Sequence, residues 1–201
     1  MKNLLTAFIF ACISYAAGAQ TYAEQIEKFR DDYKQEFLND PRSPIKRVDF
    51  KYLDFYAANE SYRVTATFKK VKDKKGFMMQ THSGIEKHYY KYGRVTFMLH
   101  GEQYSLFIYQ SETLLKKEGM EDYLFLPFTD ATNNIATFGG GRYLDFKMAD
   151  IKNNQLIIDF NKAYNPYCAF GEGYNCPIPP RENDMDTKIE AGEKLFLKGK
   201  E

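Results

Sequence analysis

Residues 94–109, with the sequence RVTFMLHGEQYSLFIY, contain two alternating apolar segments on either side of a turn. Apolar side chains occupy every second position on both sides: Val95, Phe97, Leu99, Leu106 and Ile108. Because side chains on a strand point alternately to its two faces, this pattern is typical of strands with one buried face. Residues 100–103 (HGEQ) contain a glycine among polar residues, which favours a tight reversal. The stretch therefore predicts an antiparallel hairpin with strands at 94–99 and 104–109.

Similar short strand patterns lie on both sides of the hairpin. Further strands are predicted at 62–70, 77–81, 123–128, 142–146, 155–160, 186–190 and 194–197. The asparagine pair at 153–154 is predicted to join 142–146 to 155–160. Turn signals separate these segments, and the absence of strict strand–helix alternation argues against a doubly wound sheet. The sequence predicts a mainly β fold with a minor α contribution, an antiparallel β-barrel or sandwich.

One helix is predicted before the strands, over residues 22–38. Its apolar side chains are three and four positions apart: Ile26, Phe29, Tyr33 and Phe37. This spacing predicts a helix with one buried face. Pro41 ends it, because proline cannot continue the hydrogen-bond ladder. We predict a helix and linker over 20–48 that packs against a single β-rich domain at 49–201.

The charge balance argues against one class of partner. The 201 residues include 28 Lys and Arg against 27 Asp and Glu. Nucleic-acid-binding proteins usually carry a strong basic excess, so no nucleic acid is predicted as a partner. Aromatic residues make up 16% of the chain, which argues against disorder and favours a sheet-rich core.

The N-terminal segment has the three parts of a secretory signal peptide: Lys2, an apolar run at 4–13, and small residues at 17–19. We predict export to the periplasm or beyond, with no transmembrane segment after cleavage. A lipid anchor on Cys12 is one alternative, against which the bulky Phe10 argues. A retained membrane helix is another, but the apolar run is shorter than the roughly 18 residues needed to span a bilayer.

Two cysteines, Cys168 and Cys176, remain after signal cleavage. An even pair in an exported chain predicts a disulfide. The alternatives are free thiols and metal ligation, although zinc sites usually use two more closely spaced pairs. No metal site and no cofactor are predicted.

Polar residues and glycines concentrate in the last third of the chain. Gly139 to Gly141 directly precede Arg142. Such a loop can present backbone N–H groups to an anion, with Arg142 supplying charge. The alternative is a tight bulge at a corner of the sheet. A second ligand loop is predicted over 164–183, where prolines and the predicted disulfide stiffen the chain.

The candidate site residues in these segments share a polar side chain or a flexible backbone. The predicted ligand-binding residues are Asp130, Gly140, Gly141, Arg142, Asp145, Asp159, Asn161, Asn165, Glu182 and Asn183, and Glu193 is a further candidate. Two carboxylates at a suitable separation can carry out acid–base hydrolysis. The alternative role of each group is to cap a turn or to pair with an arginine.

Several segments together resemble the bacterial domain-of-unknown-function family 1684. They are FLPFTDAT at 125–132, GGGRYLD at 139–145, DFNKAYNP at 159–166, CPIPPREN at 176–183 and AGEK at 191–194. The resemblance extends over roughly residues 29–194. Phe138 stands where the family commonly has tyrosine, so no hydroxyl role is implied there. The resemblance implies a family without an assigned activity, and therefore no particular reaction.

Two functions from different classes fit these observations. The first is a non-catalytic exported module that binds a small polar ligand or a cell-envelope partner. The alternative is an exported hydrolase that uses acidic residues such as Asp145, Asp159 or Glu182. Nucleophilic catalysis is poorly supported, because the chain has no Gly-x-Ser-x-Gly motif and the predicted disulfide consumes both thiols. Carboxylates that converge in a cleft would favour the enzyme, and carboxylates each paired to a donor would favour the module.

Overall fold

The strands form a curled and mostly antiparallel sheet. A computed structural model describes residues 20–198, so the predicted signal peptide lies outside the described residues. The strands are β1 (Arg63–Lys70), β2 (Phe77–Met79), β3 (Lys87–Leu99), β4 (Glu102–Ser111), β5 (Tyr123–Asp130), β6 (Arg142–Lys147), β7 (Gln155–Asp159) and β8 (Asp184–Met185). The helices are α1 (Tyr22–Asn39) and α2 (Glu112–Leu115), with short 3-10 turns between elements.

The order of the strands is β6-β5-β4-β3-β1-β7, with β2 beside β3 and β8 parallel to β5. The sheet curls into a half-barrel, which confirms the prediction of a mainly β fold with a minor α contribution. Strands β6 and β7 form close to their predicted positions, but they are the outermost strands and do not pair with each other. Residues 148–154 therefore connect the two ends of the curled sheet rather than the two arms of a hairpin.

The predicted hairpin is confirmed as β3 and β4, in which Leu99 pairs with Glu102. Its turn contains only two residues, because β4 begins earlier than predicted. His100 has a φ of 50° and Gly101 a φ of 90°. Two consecutive residues with positive φ produce the reversed turn whose twist matches that of the strands it joins.

The alternation in the sequence separates two apolar clusters on opposite faces of the sheet. The larger cluster contains the apolar hairpin side chains together with Leu126, Leu144, Leu156 and Phe160. The smaller one contains Met79, Tyr89, Tyr109, Phe125 and Tyr143. On β6, Leu144 therefore belongs to one face and its neighbour Tyr143 to the other, as a period of two requires.

Helix α1 covers a third cluster, in which Tyr33 and Phe37 pack with Ile45. A capping box formed by Thr21 and Glu24 begins the helix, and Asp40 is its C-terminal cap. The buried face differs from the prediction at one position, because Arg30 is buried while Phe29 is half-buried. The Arg30 guanidinium donates to the Tyr56 carbonyl at 2.6 Å, which offsets the cost of its burial.

The two strands predicted at 186–190 and 194–197 do not form. The chain is irregular there, apart from an isolated bridge between Glu193 and Phe55. The backbone carbonyls of Ile189, Ala191 and Glu193 instead accept hydrogen bonds from the guanidinium of Arg142. A buried side chain thus satisfies carbonyls that a neighbouring strand would otherwise have to satisfy.

The predicted disulfide between Cys168 and Cys176 is confirmed, with the two Cα atoms 6.2 Å apart. It closes a small loop beside the isolated bridge between Pro177 and Thr81. By chain-entropy reasoning, a disulfide that closes a loop of this size stabilises the folded state by about 2.5 kcal/mol.

The side chain of Asn183 joins two strands where they diverge. Strands β4 and β5 pair at Tyr109 and Phe125. Near Pro127, which has no N–H to donate, the Asn183 amide lies between the strands instead. It accepts from Phe107 N at 2.7 Å and donates to the carbonyls of Phe107 and Pro127 at 2.8 and 2.7 Å.

We expect Asn183→Ala to lower the free energy of unfolding by about 2–4 kcal/mol, because three backbone groups lose their partner. Urea unfolding followed by circular dichroism measures the change. Asn175→Ala, on an exposed position, is the matched control and should change stability by less than about 0.5 kcal/mol. Equal unfolding midpoints for the two variants would show that the bridge is dispensable.

Candidate functional site

A cleft lies between helix α1 and the two outermost strands of the half-barrel. Its volume is about 960 Å³, which is within the range of small-molecule sites. Side chains from three elements line it: Phe29, Tyr33 and Glu36 from α1, Leu144, Asp145 and Phe146 from β6, and Leu156, Ile157 and Asp159 from β7. The open side of the curled sheet thus becomes a concave surface closed by the helix.

Among the candidate residues predicted from the sequence, Asp145 is the most accessible one that lines this cleft. Its Oδ1 accepts from the Tyr123 hydroxyl at 2.6 Å and its Oδ2 from the Tyr164 hydroxyl at 2.8 Å. The side chain is exposed to the cleft, while protein encloses it on its other sides. This partial desolvation raises the pKa of the Asp145 carboxyl, and the two phenol hydrogen bonds act in the opposite direction.

The two tyrosines that hold Asp145 remain hydrogen-bond donors at neutral pH. Burial, followed by the negative charge of Asp145, raises the pKa of both hydroxyls well above the usual value. The Tyr164 ring lies between those of Tyr33 and Tyr143, with centroids 5.9 Å away in each case. The packed rings therefore hold the Tyr164 hydroxyl in place, and this hydroxyl fixes the position of Asp145.

Glu36 lines the same part of the cleft from helix α1. Partial desolvation in the cleft raises the pKa of its carboxyl, and the negative charge of Asp145 raises it further. Sequence reasoning missed Glu36, because on a helix with many charged residues it resembles a solvated position. It also missed Tyr123 and Tyr164, for which the sequence shows only a high tyrosine content.

Asp130 and Arg142 form a buried ion pair away from the cleft. The Arg142 Nη2 donates to Asp130 Oδ1 at 3.0 Å, and the two side chains are 0% and 1% exposed. The other oxygen of Asp130 accepts from Thr132 N at 3.1 Å and Ile189 N at 2.8 Å. The two Nη atoms of Arg142 are therefore engaged within the protein, which favours the alternative role of pairing an aspartate with an arginine.

The glycine loop before Arg142 is closely packed rather than open. A β carbon on Gly139 would collide with Asn134, and one on Gly140 with the rings of His82 and Phe138. Gly141 has a φ of 85°, which favours glycine. These contacts favour the alternative of a tight structural bend for Gly140 and Gly141.

Asn165 and Glu193 form a second buried polar group. Glu193 Oε2 accepts from Asn165 N at 2.8 Å and from the Tyr33 hydroxyl at 2.9 Å. Within residues 20–198, Glu193 Oε1 and Asn165 Oδ1 have no hydrogen-bond partner. Burial raises the pKa of the Glu193 carboxyl to about 8, so this side chain is mainly protonated at neutral pH.

The remaining candidates lie at separate places. Asp159 lines the far end of the cleft, where it accepts from the Tyr22 hydroxyl at 2.9 Å and from Asn161 N at 3.1 Å. Glu182 accepts from the Tyr109 hydroxyl and from Lys91, both at 2.7 Å, on another part of the surface. The carboxylates named by the sequence therefore do not converge.

The described part of the chain contains no group of three His, Cys, Asp or Glu side chains placed to hold a metal ion. No helix within it is both long enough and apolar enough to cross a bilayer.

We expect Arg142→Ala to lower the free energy of unfolding by about 3–5 kcal/mol, because it leaves Asp130 as an unpaired buried charge. Chemical denaturation measures this loss. Arg47→Ala, which removes an exposed arginine, is the control and should leave the midpoint nearly unchanged. A change of less than about 1 kcal/mol in Arg142→Ala would contradict a structural role for the pair.

Glu193 should make the protein less stable as the pH rises. Its pKa is about 8 in the folded state against 4.5 for the ordinary carboxyl. Its contribution is therefore complete below pH 4.5 and is lost as the pH rises through 8. Glu193→Gln removes this dependence, so its stability relative to the wild type should increase from pH 5 to pH 9. Denaturant unfolding across this range tests the expectation, with the exposed Glu190→Gln as control. A difference that stays constant with pH would contradict it.

The comparisons with known proteins agree with the resemblance seen in the sequence. Residues 48–194 match the family described as protein of unknown function (DUF1684). The chain is also similar to the solution NMR structure of an uncharacterized protein of Haloarcula marismortui, with 27% identity and a TM-score of 0.66. That match covers 87% of this chain and 94% of the other. None of the curated proteins matches. Residues 48–194 make up well over half of the chain, so the chain belongs to the DUF1684 family.

Proposed function

We propose that this member of the DUF1684 family is an exported, non-catalytic module that binds a small polar ligand in the cleft beneath helix α1. The signal-peptide pattern and the disulfide between Cys168 and Cys176 support export. The cleft volume of about 960 Å³ favours a small molecule over an envelope protein as the occupant.

The observation that carries this proposal is the placement of Asp145. Two phenol hydroxyls hold its carboxyl in one orientation while the side chain remains open to the cleft. A carboxylate oxygen has capacity for more than one hydrogen bond, so both oxygens can also accept from a ligand. An orienting group fixed in advance, within a largely aromatic wall, is typical of a binding site.

The distribution of carboxylates favours binding over catalysis. Asp130 is paired with Arg142 in the interior, Asp159 is held by Tyr22, and Glu182 by Tyr109 and Lys91. Each group already has a donor, and the set is divided among separate places. Glycoside hydrolysis by a pair of carboxyls instead requires the two groups on either side of one scissile bond.

The binding proposal is tested on the mature protein by two-dimensional amide NMR with a panel of small cationic, anionic and neutral polar compounds. We expect at least one class to shift amide signals of β6 and of the C-terminal turns of α1. Asp145→Asn should weaken that binding about ten- to hundred-fold, since it removes a charged hydrogen-bond acceptor. Glu102→Gln, at the exposed hairpin end, is the control of equal charge change. Failure of every class to shift cleft signals would overturn the proposal.

A hydrolase remains the second candidate, for one specific reason. Glu36 and Asp145 line the same cleft, close enough for the charge of Asp145 to raise the pKa of Glu36. If these two groups act as acid and base, the protein should hydrolyse a member of a glycoside, ester or phosphate panel. Turnover should then be lost in both Glu36→Gln and Asp145→Asn.

A further inference from the structure

We propose that the ligand carries a primary ammonium group, which binds at the end of the cleft formed by Asp145, Glu36 and the tyrosines around them. This inference rests on the proposed function, because it names the ligand class of the same cleft. We call this region the acidic end, defined by Asp145, Glu36, Tyr33, Tyr164 and Tyr167. Three independent features of the acidic end support a cation.

The first feature is that the hydroxyl hydrogens of the cleft are already in use. Tyr33 donates to Glu193, Tyr164 to Asp145 and Tyr167 to Asp40, at 2.9, 2.8 and 3.0 Å. The other two tyrosines of the cleft donate to backbone carbonyls: Tyr143 to Pro177 and Tyr174 to Arg42. The tyrosine walls therefore offer a ligand acceptor oxygens and ring surfaces but few donors. An anion needs donors, whereas an ammonium group needs acceptors.

The second feature is that neither carboxyl of the acidic end has a cationic partner. Among residues 20–198, no Lys, Arg or His nitrogen lies within 4.0 Å of a carboxyl oxygen of Asp145 or Glu36. The nearby Asp40 differs, because Arg42 pairs with it at 3.4 Å. A ligand cation would supply the charge that the protein does not.

The cations that line the cleft are engaged elsewhere or belong to its other side. Lys87 Nζ donates to the Asn175 carbonyl at 2.6 Å. Arg63 pairs with Glu60 at 3.7 Å. Lys162 lies over the Phe29 ring at 5.4 Å, and Lys152 forms an isolated bridge with Gln155 at the start of β7. Arg63, Lys152 and Lys162 therefore lie on the β7 side of the cleft, whereas Lys87 and Arg42 are held by the Asn175 carbonyl and by Asp40.

The third feature is the aromatic wall. The half-buried rings of Tyr164 and Tyr167 line the cleft, and the buried rings of Tyr33 and Tyr143 pack against Tyr164 from behind. Aromatic faces attract ammonium groups electrostatically, more strongly where water is excluded. Carboxylate oxygens and ring faces together form the kind of surface that an alkylammonium ion fits.

The test uses three probes of equal chain length that differ in charge: butylammonium, 1-butanol and butyrate. Each is titrated at neutral pH and low salt into the mature protein, and amide NMR shifts are followed. We expect butylammonium to shift signals at Glu36, Asp145 and Tyr164, and to bind at least about tenfold more tightly than the other two. Tetramethylammonium, which has no N–H donor, should bind more weakly than butylammonium.

Variants identify the groups responsible. Asp145→Asn should weaken butylammonium binding at least about tenfold, and Glu36→Gln about threefold, while Glu102→Gln leaves it unchanged. Glu36 is exposed on a helix, so its variant keeps the test valid if Asp145→Asn fails to fold. Equal binding of butylammonium by the wild type and by both variants would overturn the inference.

The outcomes separate this inference from the function on which it rests. If butyrate or 1-butanol shifts the cleft signals as strongly as butylammonium, the ammonium inference falls and the binding module stands. Tighter binding of tetramethylammonium than of butylammonium overturns the primary ammonium group in favour of a quaternary one. If neither these probes nor the wider panel shifts any cleft signal, both proposals fall.

Discussion

The buried ion pair between Asp130 and Arg142 is the interaction on which the remainder of the structure depends. It joins the end of β5 to the start of β6, and the same guanidinium binds three carbonyls of the irregular C-terminal segment. A buried charge is costly unless it is hydrogen-bonded, and the segment follows a path that brings its carbonyls to the two Nη atoms of Arg142. The segment therefore forms hydrogen bonds with Arg142 instead of pairing as a regular strand.

The consequences of the ion pair extend to the cleft. The C-terminal segment places Glu193 where it accepts from Tyr33 of helix α1 and from Asn165 N. The helix and the segment before Pro166 are thereby held against each other. Tyr164, adjacent to Asn165, then donates to Asp145. Hydrogen bonds, together with the adjacency of Asn165 and Tyr164 in the chain, thus link the interior to the proposed site, and loss of the ion pair would disturb both.

One short strand serves both purposes because of its alternation. On β6, Arg142 points into the interior, whereas Asp145 opens into the cleft. The segment GGGRYLD therefore combines a packed turn, a structural charge and the proposed binding group within seven residues. A sequence motif of this kind contains residues that shape the fold next to residues that line a cleft. Only the packing around each residue shows which of the two roles it has.

The sequence alone determined the elements whose pattern is local. The hairpin of β3 and β4, helix α1 and the disulfide follow from alternation, helical spacing and the cysteine pair. The sequence also predicts Asp145 as a site residue, and that role stays a prediction. The prediction of strands at 186–190 and 194–197 was wrong. A strand-like pattern cannot reveal that a distant arginine donates hydrogen bonds to the backbone carbonyls.

Tertiary structure alone decided which polar residues became interior and which reached the cleft. Asn183 and Arg142 are as polar in sequence as Asp145, yet one joins two strands and the other neutralises a buried aspartate. Glu36 acquired significance only when the helix packed across the open side of the half-barrel. These outcomes depend on contacts between residues far apart in the chain, and local sequence patterns carry no information about such contacts.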